Sequence, residues 1–134
     1  MLISTRGRYA LRVMTDLAEH NSEGYIPLKD IAGRQGISQK YMESIMTLLS
    51  KNNFVDGIHG RGGGYRLNRE PEEYRIGDIL RLTEGTLAPV ACLECGAKPC
   101  DREAECRTLP MWSKLDAMIN EYLDGVTIAD LCRQ

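Results

Sequence analysis

Five residues, Gly60-Arg61-Gly62-Gly63-Gly64, constrain the fold more than any other stretch of the chain. Glycine is a poor helix former and reaches positive φ without steric cost, so four glycines around one arginine exclude a helix and favour a reversal. The flanking runs, Phe54-Val55-Asp56-Gly57-Ile58-His59 and Tyr65-Arg66-Leu67, read as two short strands. Together they describe a β-hairpin whose tip is nearly free of side chains. A nucleotide-phosphate cradle is not expected. No Lys-Ser/Thr pair follows, the run opens no helix, and its spacing is not G-x-G-x-x-G.

Three amphipathic helices precede the hairpin. Ser4 or Thr5 caps the first, which enters at Arg6 and stops near His20-Asn21. Its Ala10, Val13, Met14, Leu17 and Ala18 follow the i, i+3, i+4, i+7, i+8 rule. Pro27 suits the first turn of a short second helix, Leu28 to about Arg34, and Gly36 breaks it. Ser38 caps the third, with Ile37 and Met42 placed as a hydrophobic staple. Met42, Ile45, Met46 and Leu49 form its buried stripe. Lys40, Glu43 and Thr47 lie opposite, with Gln39, Tyr41 and Ser44 at the edges.

Two short helices joined by a glycine turn fit a helix-turn-helix, although a generic three-helix core would show the same periodicity. The hairpin decides between them, because helix-turn-helix followed by hairpin is a winged helix. The expected fold is mainly α with a small β-hairpin. Residues 1–70 form a winged helix-turn-helix, 71–109 a connecting helix and cysteine-rich loop, and 110–134 a dimerisation helix with its C-terminal segment.

Such a fold points to double-stranded DNA. Thr5, Arg6 and Lys51 are the candidates for phosphates, which set affinity and its salt dependence. Ser38, Gln39, Lys40, Tyr41 and Glu43, on the third helix and its cap, are candidates for the major groove, where Glu43 can accept from a cytosine amine. His59 and Arg61 belong to the wing, and Arg61 can enter a narrow minor groove or sit between phosphates. Charge agrees mildly. Residues 1–70 carry ten Lys and Arg against seven Asp and Glu, a net of +3. Residues 71–134 carry seven against twelve, a net of −5, and the two give the −2 of the whole chain.

Behind the wing, Arg75 to Glu84 reads as a short helix ended by Gly85. Pro110 sits just inside a last long helix, whose Met111, Trp112, Leu115, Met118, Ile119 and Tyr122 are spaced for one continuous stripe. A helix after a flexible loop must bury that stripe on its own head or on a second subunit. A homodimer suits a palindromic operator. Thr127 and Asp130 have capping-box spacing.

Between these helices lies CLECGAKPCDREAEC, with the spacing Cys92-x2-Cys95-x4-Cys100-x5-Cys106. Thiolates are soft ligands suited to iron–sulfur clusters, zinc or copper(I). Only Cys92-Cys95 has zinc-knuckle spacing, and the ferredoxin run is not matched. A cluster, a zinc site and a bare-thiol redox sensor remain open at this point. Cys132 is expected as a small buried hydrophobe. The N-terminus carries no secretory pattern and no window is apolar enough for a bilayer, so a cytoplasmic protein without membrane partners is expected. There, structural disulfides are uncommon. His20 and His59 stand far from the cysteines in sequence and no nucleophile–base pair is visible, so an enzyme is not expected. An electron-transfer module would have no use for a winged helix.

The runs STRGRYALRVM, RQGISQKYMESI, HGRGGGYRL and CRTLPMW closely resemble winged-helix regulators of the Rrf family, of the IscR, NsrR and CymR type, over nearly the whole chain. The resemblance implies a homodimeric bacterial transcription factor, here a repressor, with the long C-terminal helix as dimer interface. It further implies an iron–sulfur cluster, 2Fe-2S or 4Fe-4S, that reports iron–sulfur status, nitric oxide or redox stress. The triple Cys95, Cys100 and Cys106 looks like the ligand set of the nitric-oxide-sensing branch. Two departures leave the fourth ligand open: Leu109 stands where the biogenesis branch has a histidine, and Arg8 where some nitric-oxide sensors have an acidic residue. Cys92 is the spare thiol, with Glu94 or a small thiol as alternatives. The cysteine-metabolism branch lacks such a loop.

Overall fold

The computed structural model describes residues 2–134. Six helices and one hairpin follow in the order α1 (Thr5–Glu19), α2 (Leu28–Gln35), α3 (Gln39–Lys51), β1 (Val55–Ile58), β2 (Gly64–Leu67), α4 (Ile76–Glu84), α5 (Leu109–Asp124) and α6 (Ile128–Cys132). The expected helical fold with a small hairpin is the observed one.

Local chemistry sets most of the boundaries. The Ser4 hydroxyl accepts from the Gly7 N–H and starts α1, and the Ser38 hydroxyl accepts from the Tyr41 N–H and starts α3. Each such cap is worth about 1 kcal/mol. Between α2 and α3, Gly36 adopts φ +66, a left-handed conformation that a side chain disfavours, and the chain reverses there. Ile37 and Met42 are both buried, as a staple requires.

The hairpin is antiparallel, with Val55 opposite Leu67 and Ile58 opposite Gly64. It gains a further partner that sequence reading did not anticipate. Ile26 and Tyr65 exchange two backbone hydrogen bonds, each 2.9 Å, so β2 runs between β1 and the segment entering α2. Gly64 permits this approach, because a Cβ there would lie 2.2 Å from the Ile26 carbonyl oxygen. The wing is thereby fastened to the helix-turn-helix at its base while its tip stays exposed.

One hydrophobic core serves all segments. Val13, Met14 and Leu17 of α1 meet Met42, Ile45, Met46 and Leu49 of α3, then Ile76, Ile79 and Leu80 of α4 and Ile128 of α6. The capping box forms as spaced: Thr127 accepts from the Asp130 N–H, and Asp130 accepts from the Thr127 N–H. It turns α6 back onto α1, where the half-buried Cys132 points its thiol at the Thr15 carbonyl.

Helix α5 departs from expectation. Its apolar stripe is split, and among the described residues none on α5 is fully buried. Ile119 and Leu123 lean on the core, whereas Met111, Leu115, Met118 and Tyr122 are exposed at 54, 38, 57 and 71%. Only one flank of the helix rests on the head. It is held there by Arg81 of α4, which donates to Asp124 at 2.8 Å and to Asn120 at 2.7 Å.

Candidate nucleic-acid interface and cysteine loop

Helix α3 buries four apolar residues against the head, so its opposite face must meet solvent or a ligand. Gln39 and Glu43 on that face line one open cleft with Lys29 of α2 and His59 of the wing, about 490 Å³ in volume. The cleft thus joins polar residues of the reader helix to the wing. Thr5 and Arg6 line a second concavity with Ser4, Tyr41 and Thr83. Tyr41 is partly structural, since its ring packs edge-on against Tyr9 at 5.7 Å. Ser38 spends its hydroxyl on the α3 cap.

Lys40 and Lys51 are exposed on α3 but line neither depression. Lys51 closes the last turn, roughly 18 Å along the axis from Gln39 at 1.5 Å per residue. Arg61 is exposed on the wing tip. Lys29 lines the cleft between reader helix and wing and was not among the candidates read from the sequence. Its signal was its place in the first turn of α2 directly after Pro27, with no apolar role to fill.

A buried ion pair stiffens the scaffold behind this face. Asp16 of α1 is 2% exposed and is the one buried charged residue among those described. Arg34 donates to its two oxygens at 3.0 and 2.7 Å, and Gln35 donates at 2.9 Å. Burial pushes the Asp16 carboxyl upward, but hydrogen bonds from Arg34 and Gln35 and the Arg34 charge outweigh it, leaving the group below its ordinary value. The pair ties the end of α2, and so the turn at Gly36, to α1.

The cysteine loop runs over the surface. Cys92, Cys95 and Cys100 are exposed, Cys106 is half-buried, and all are free thiols. Cys92, Cys100, Cys106 and Glu103 line a cleft of about 320 Å³ that reaches Leu109 and Ser113 on α5. Cys95 is not on its wall. The structure therefore gathers a triple different from the one the resemblance implied. The Cys106 thiol lies 3.4 Å from the Thr108 hydroxyl. That contact, with the Thr108 and Leu109 N–H groups at the start of α5, holds the thiol below its ordinary value and favours thiolate.

This donor set fits a thiophilic centre in kind, with three sulfurs around one cavity and one of them predisposed to ionise. It is not a closed cage, because among the described residues no three His, Cys, Asp or Glu side chains converge as a metal site. Likewise, no helix among the described residues is long and apolar enough to cross a membrane.

A helix-turn-helix with a fastened wing, polar residues facing outward between them, defines the class: a winged-helix DNA-binding regulator. Comparison with known proteins makes the assignment specific. Residues 3–134 match the Rrf2 family, described as "Iron-dependent Transcriptional regulator", and the chain belongs to that family. It is 36% identical to the HTH-type transcriptional regulator IscR of Aliivibrio salmonicida, over 98% of this chain and 77% of that one. Among solved structures it resembles CymR, the global cysteine regulator of B. subtilis (TM-score 0.80, 37% identity, 99 and 97% of the two chains). It also resembles T. potens IscR (TM-score 0.77, 37% identity, 99 and 87%). The relatives are named as transcriptional regulators, not enzymes, and this chain is a DNA-binding regulator of that kind.

Proposed function

We propose that the protein is a homodimeric repressor that binds a palindromic operator and whose DNA affinity is set by an iron–sulfur cluster in the 92–106 loop. The observation that carries this reading is the cleft in which Cys92, Cys100 and Cys106 meet the first turn of α5. These three would hold the cluster, with Cys95 as the fourth candidate. When bound, such a cluster supplies a redox- and iron-sensitive link among thiolates that otherwise sit on separate parts of the loop.

The residues of the chain do the rest. Met111, Leu115, Met118 and Tyr122 are spaced by four, three and four residues, the alternation of a coiled-coil seam. Packed against the same seam of a second copy, they bury the exposed flank of α5 and place two reader helices at a fixed separation. Loop ordering at the head of α5 and the Arg81 anchor at its base fix the angle between seam and reader. Residues 1–70 thus read DNA, 71–109 sense and 110–134 dimerise, all on one shared core. Ser38, Gln39, Lys40, Tyr41 and Glu43 address the major groove. Thr5, Arg6, Lys29 and Lys51 address phosphates, and His59 and Arg61 the wing contact. Control requires that loop ordering differ in free energy between the two DNA-binding states.

A second reading has a specific observation behind it. Three exposed free thiols and a fourth inclined to thiolate suit a reversible disulfide sensor without metal. One preparation separates the two. Protein purified without oxygen is assayed for visible absorbance, iron and sulfide, and its binding to a palindromic duplex is titrated before and after removal of iron. Colour, stoichiometric iron and an affinity that changes on iron removal support the cluster. Iron-free material whose affinity shifts on oxidation, with a disulfide found by mass spectrometry, would transfer control to the thiols.

A further inference from the structure

Helix α4 ends at Glu84, and eight residues later the chain reaches Cys92. The Glu84 carboxylate does not face solvent alone. Its Oε1 accepts from the Ser4 backbone N–H at 2.5 Å, and its Oε2 accepts from the Ser4 hydroxyl at 2.7 Å. That hydroxyl in turn accepts from the Gly7 N–H at 3.1 Å as the cap of α1. Both oxygens of one carboxylate are thus used on one capping residue, and the direction of the hydroxyl proton is set by Glu84. The next two residues of α1 are Thr5 and Arg6, and Ser4 shares a concavity with both, with Tyr41 of the reader helix and with Thr83 of α4.

Gly7 completes the arrangement. It is buried, and a Cβ there would lie 2.9 Å from Glu84 Oε2 and 3.1 Å from the Thr83 hydroxyl. The absence of a side chain lets the end of α4 close over the first turn of α1. On the other side of Glu84, Gly85 turns the chain at φ +80 and Leu87, 5% exposed, re-enters the core before the loop begins. The segment that joins α4 to the loop is therefore short, seated in the core by Leu87 and tied to the start of α1 through Glu84 and Ser4. A carboxylate at this position also complements the positive end of α1, where DNA phosphate would compete for the same N–H groups.

We infer that Glu84 is the positioning residue through which the state of the cysteine loop reaches the DNA-contacting start of α1, by way of Ser4. The inference deepens the cluster-control reading and rests on it. Loop ordering fixes Glu84 on Ser4 and presents Thr5 and Arg6 in one register. Release of the loop loosens the clamp and the register with it. The contact is neither in the cysteine cleft nor on the groove-facing side of α3, so it can carry the response without making either end of it.

The test compares wild type with Glu84→Gln and Gly7→Ala, each in cluster-loaded and iron-stripped form. The duplex is a palindrome selected from random DNA by the wild-type protein. The readout is the ratio of the two dissociation constants. Allosteric ratios commonly fall between about 5 and 150. Both variants are expected to bring the ratio to within about threefold of one while wild-type iron content is kept. Gly7→Ala should do so without loss of helix stability, since alanine is the better helix former. Amide exchange at Gly7 and Arg8 should quicken on iron removal in the wild type and be already quick in Glu84→Gln. Equal weakening of both forms with the ratio preserved would reduce the clamp to a structural cap and overturn the inference alone. A wild-type ratio of one would remove cluster control itself, and the inference with it.

Discussion

Replacing Met118 by Glu tests the dimer seam most directly. Met118 is 57% exposed in the single chain, so the substitution takes nothing from the core, and glutamate forms helix about as well as methionine. Fully burying a methionine side chain is worth roughly 1.5–3 kcal/mol, and the part still open at this site corresponds to about 1–1.5 kcal/mol. In a twofold interface the residue counts twice, which gives about 2–3 kcal/mol before any charge effect. The dimer dissociation constant should therefore rise by about 30- to 150-fold, and more if the two carboxylates meet near the axis. Sedimentation velocity across a dilution series measures it. Thermal unfolding of the variant at monomeric concentration checks that the head is intact. Affinity for a palindromic duplex should fall in parallel while affinity for a half-site holds. A variant that sediments as a wild-type dimer would refute the seam. A monomer that binds the palindrome as tightly as wild type would refute the need for it.

Arg34→Met should destabilise the fold by about 2–4 kcal/mol in chemical denaturation, because it leaves the buried Asp16 carboxylate with the hydrogen bond from Gln35 and the His20 ring 3.6 Å away as its remaining side-chain partners. The range sits below that of a fully buried pair because Arg34 is 36% exposed. Asp16 has a depressed folded-state value, so its contribution is complete above the unfolded carboxyl value and is lost as pH falls through the folded one. Asp16→Asn should accordingly flatten the stability–pH curve below about pH 5, and an unchanged acid limb would show that the pair does not govern it. Arg61→Ala should weaken duplex binding by about 1–3 kcal/mol, and an unchanged titration at physiological salt would remove the wing tip from the interface. Cys100→Ala should give colourless, iron-poor protein from anaerobic purification, whereas Cys95→Ala should keep most of its iron and absorbance. Loss of iron from Cys95→Ala together with its retention in Cys92→Ala would restore the triple implied by family resemblance over the one the cleft gathers, and iron retained in Cys100→Ala would count against both.

The parts of the molecule legible in the sequence are those governed by local rules. Ser38 before an apolar stripe, Thr127 three residues ahead of Asp130, and glycines 60–64 between two short strands each act within a few residues of themselves. Helix periodicity likewise needs no distant partner, and the outward-facing side of α3 follows from the side it must bury. What could not be read depends on segments far apart in the chain coming together. Asp16 looks like any surface acid until α2 folds Arg34 and Gln35 over it. Glu84 and Ser4 are 80 residues apart, and nothing near either one announces the other. The stripe on α5 reads as one face, yet the angle at which α4 receives it through Arg81 turns Ile119 and Leu123 inward and leaves the Met111–Tyr122 seam outside. The cysteine spacing names the candidate donors, but only the path of the loop over the head of α5 selects Cys92, Cys100 and Cys106 for one wall. Sequence alone determined which elements form and which chemistry each carries. Tertiary approach decided which of those chemistries touch, because contact between distant residues is a property of how helices pack and of no single stretch of chain.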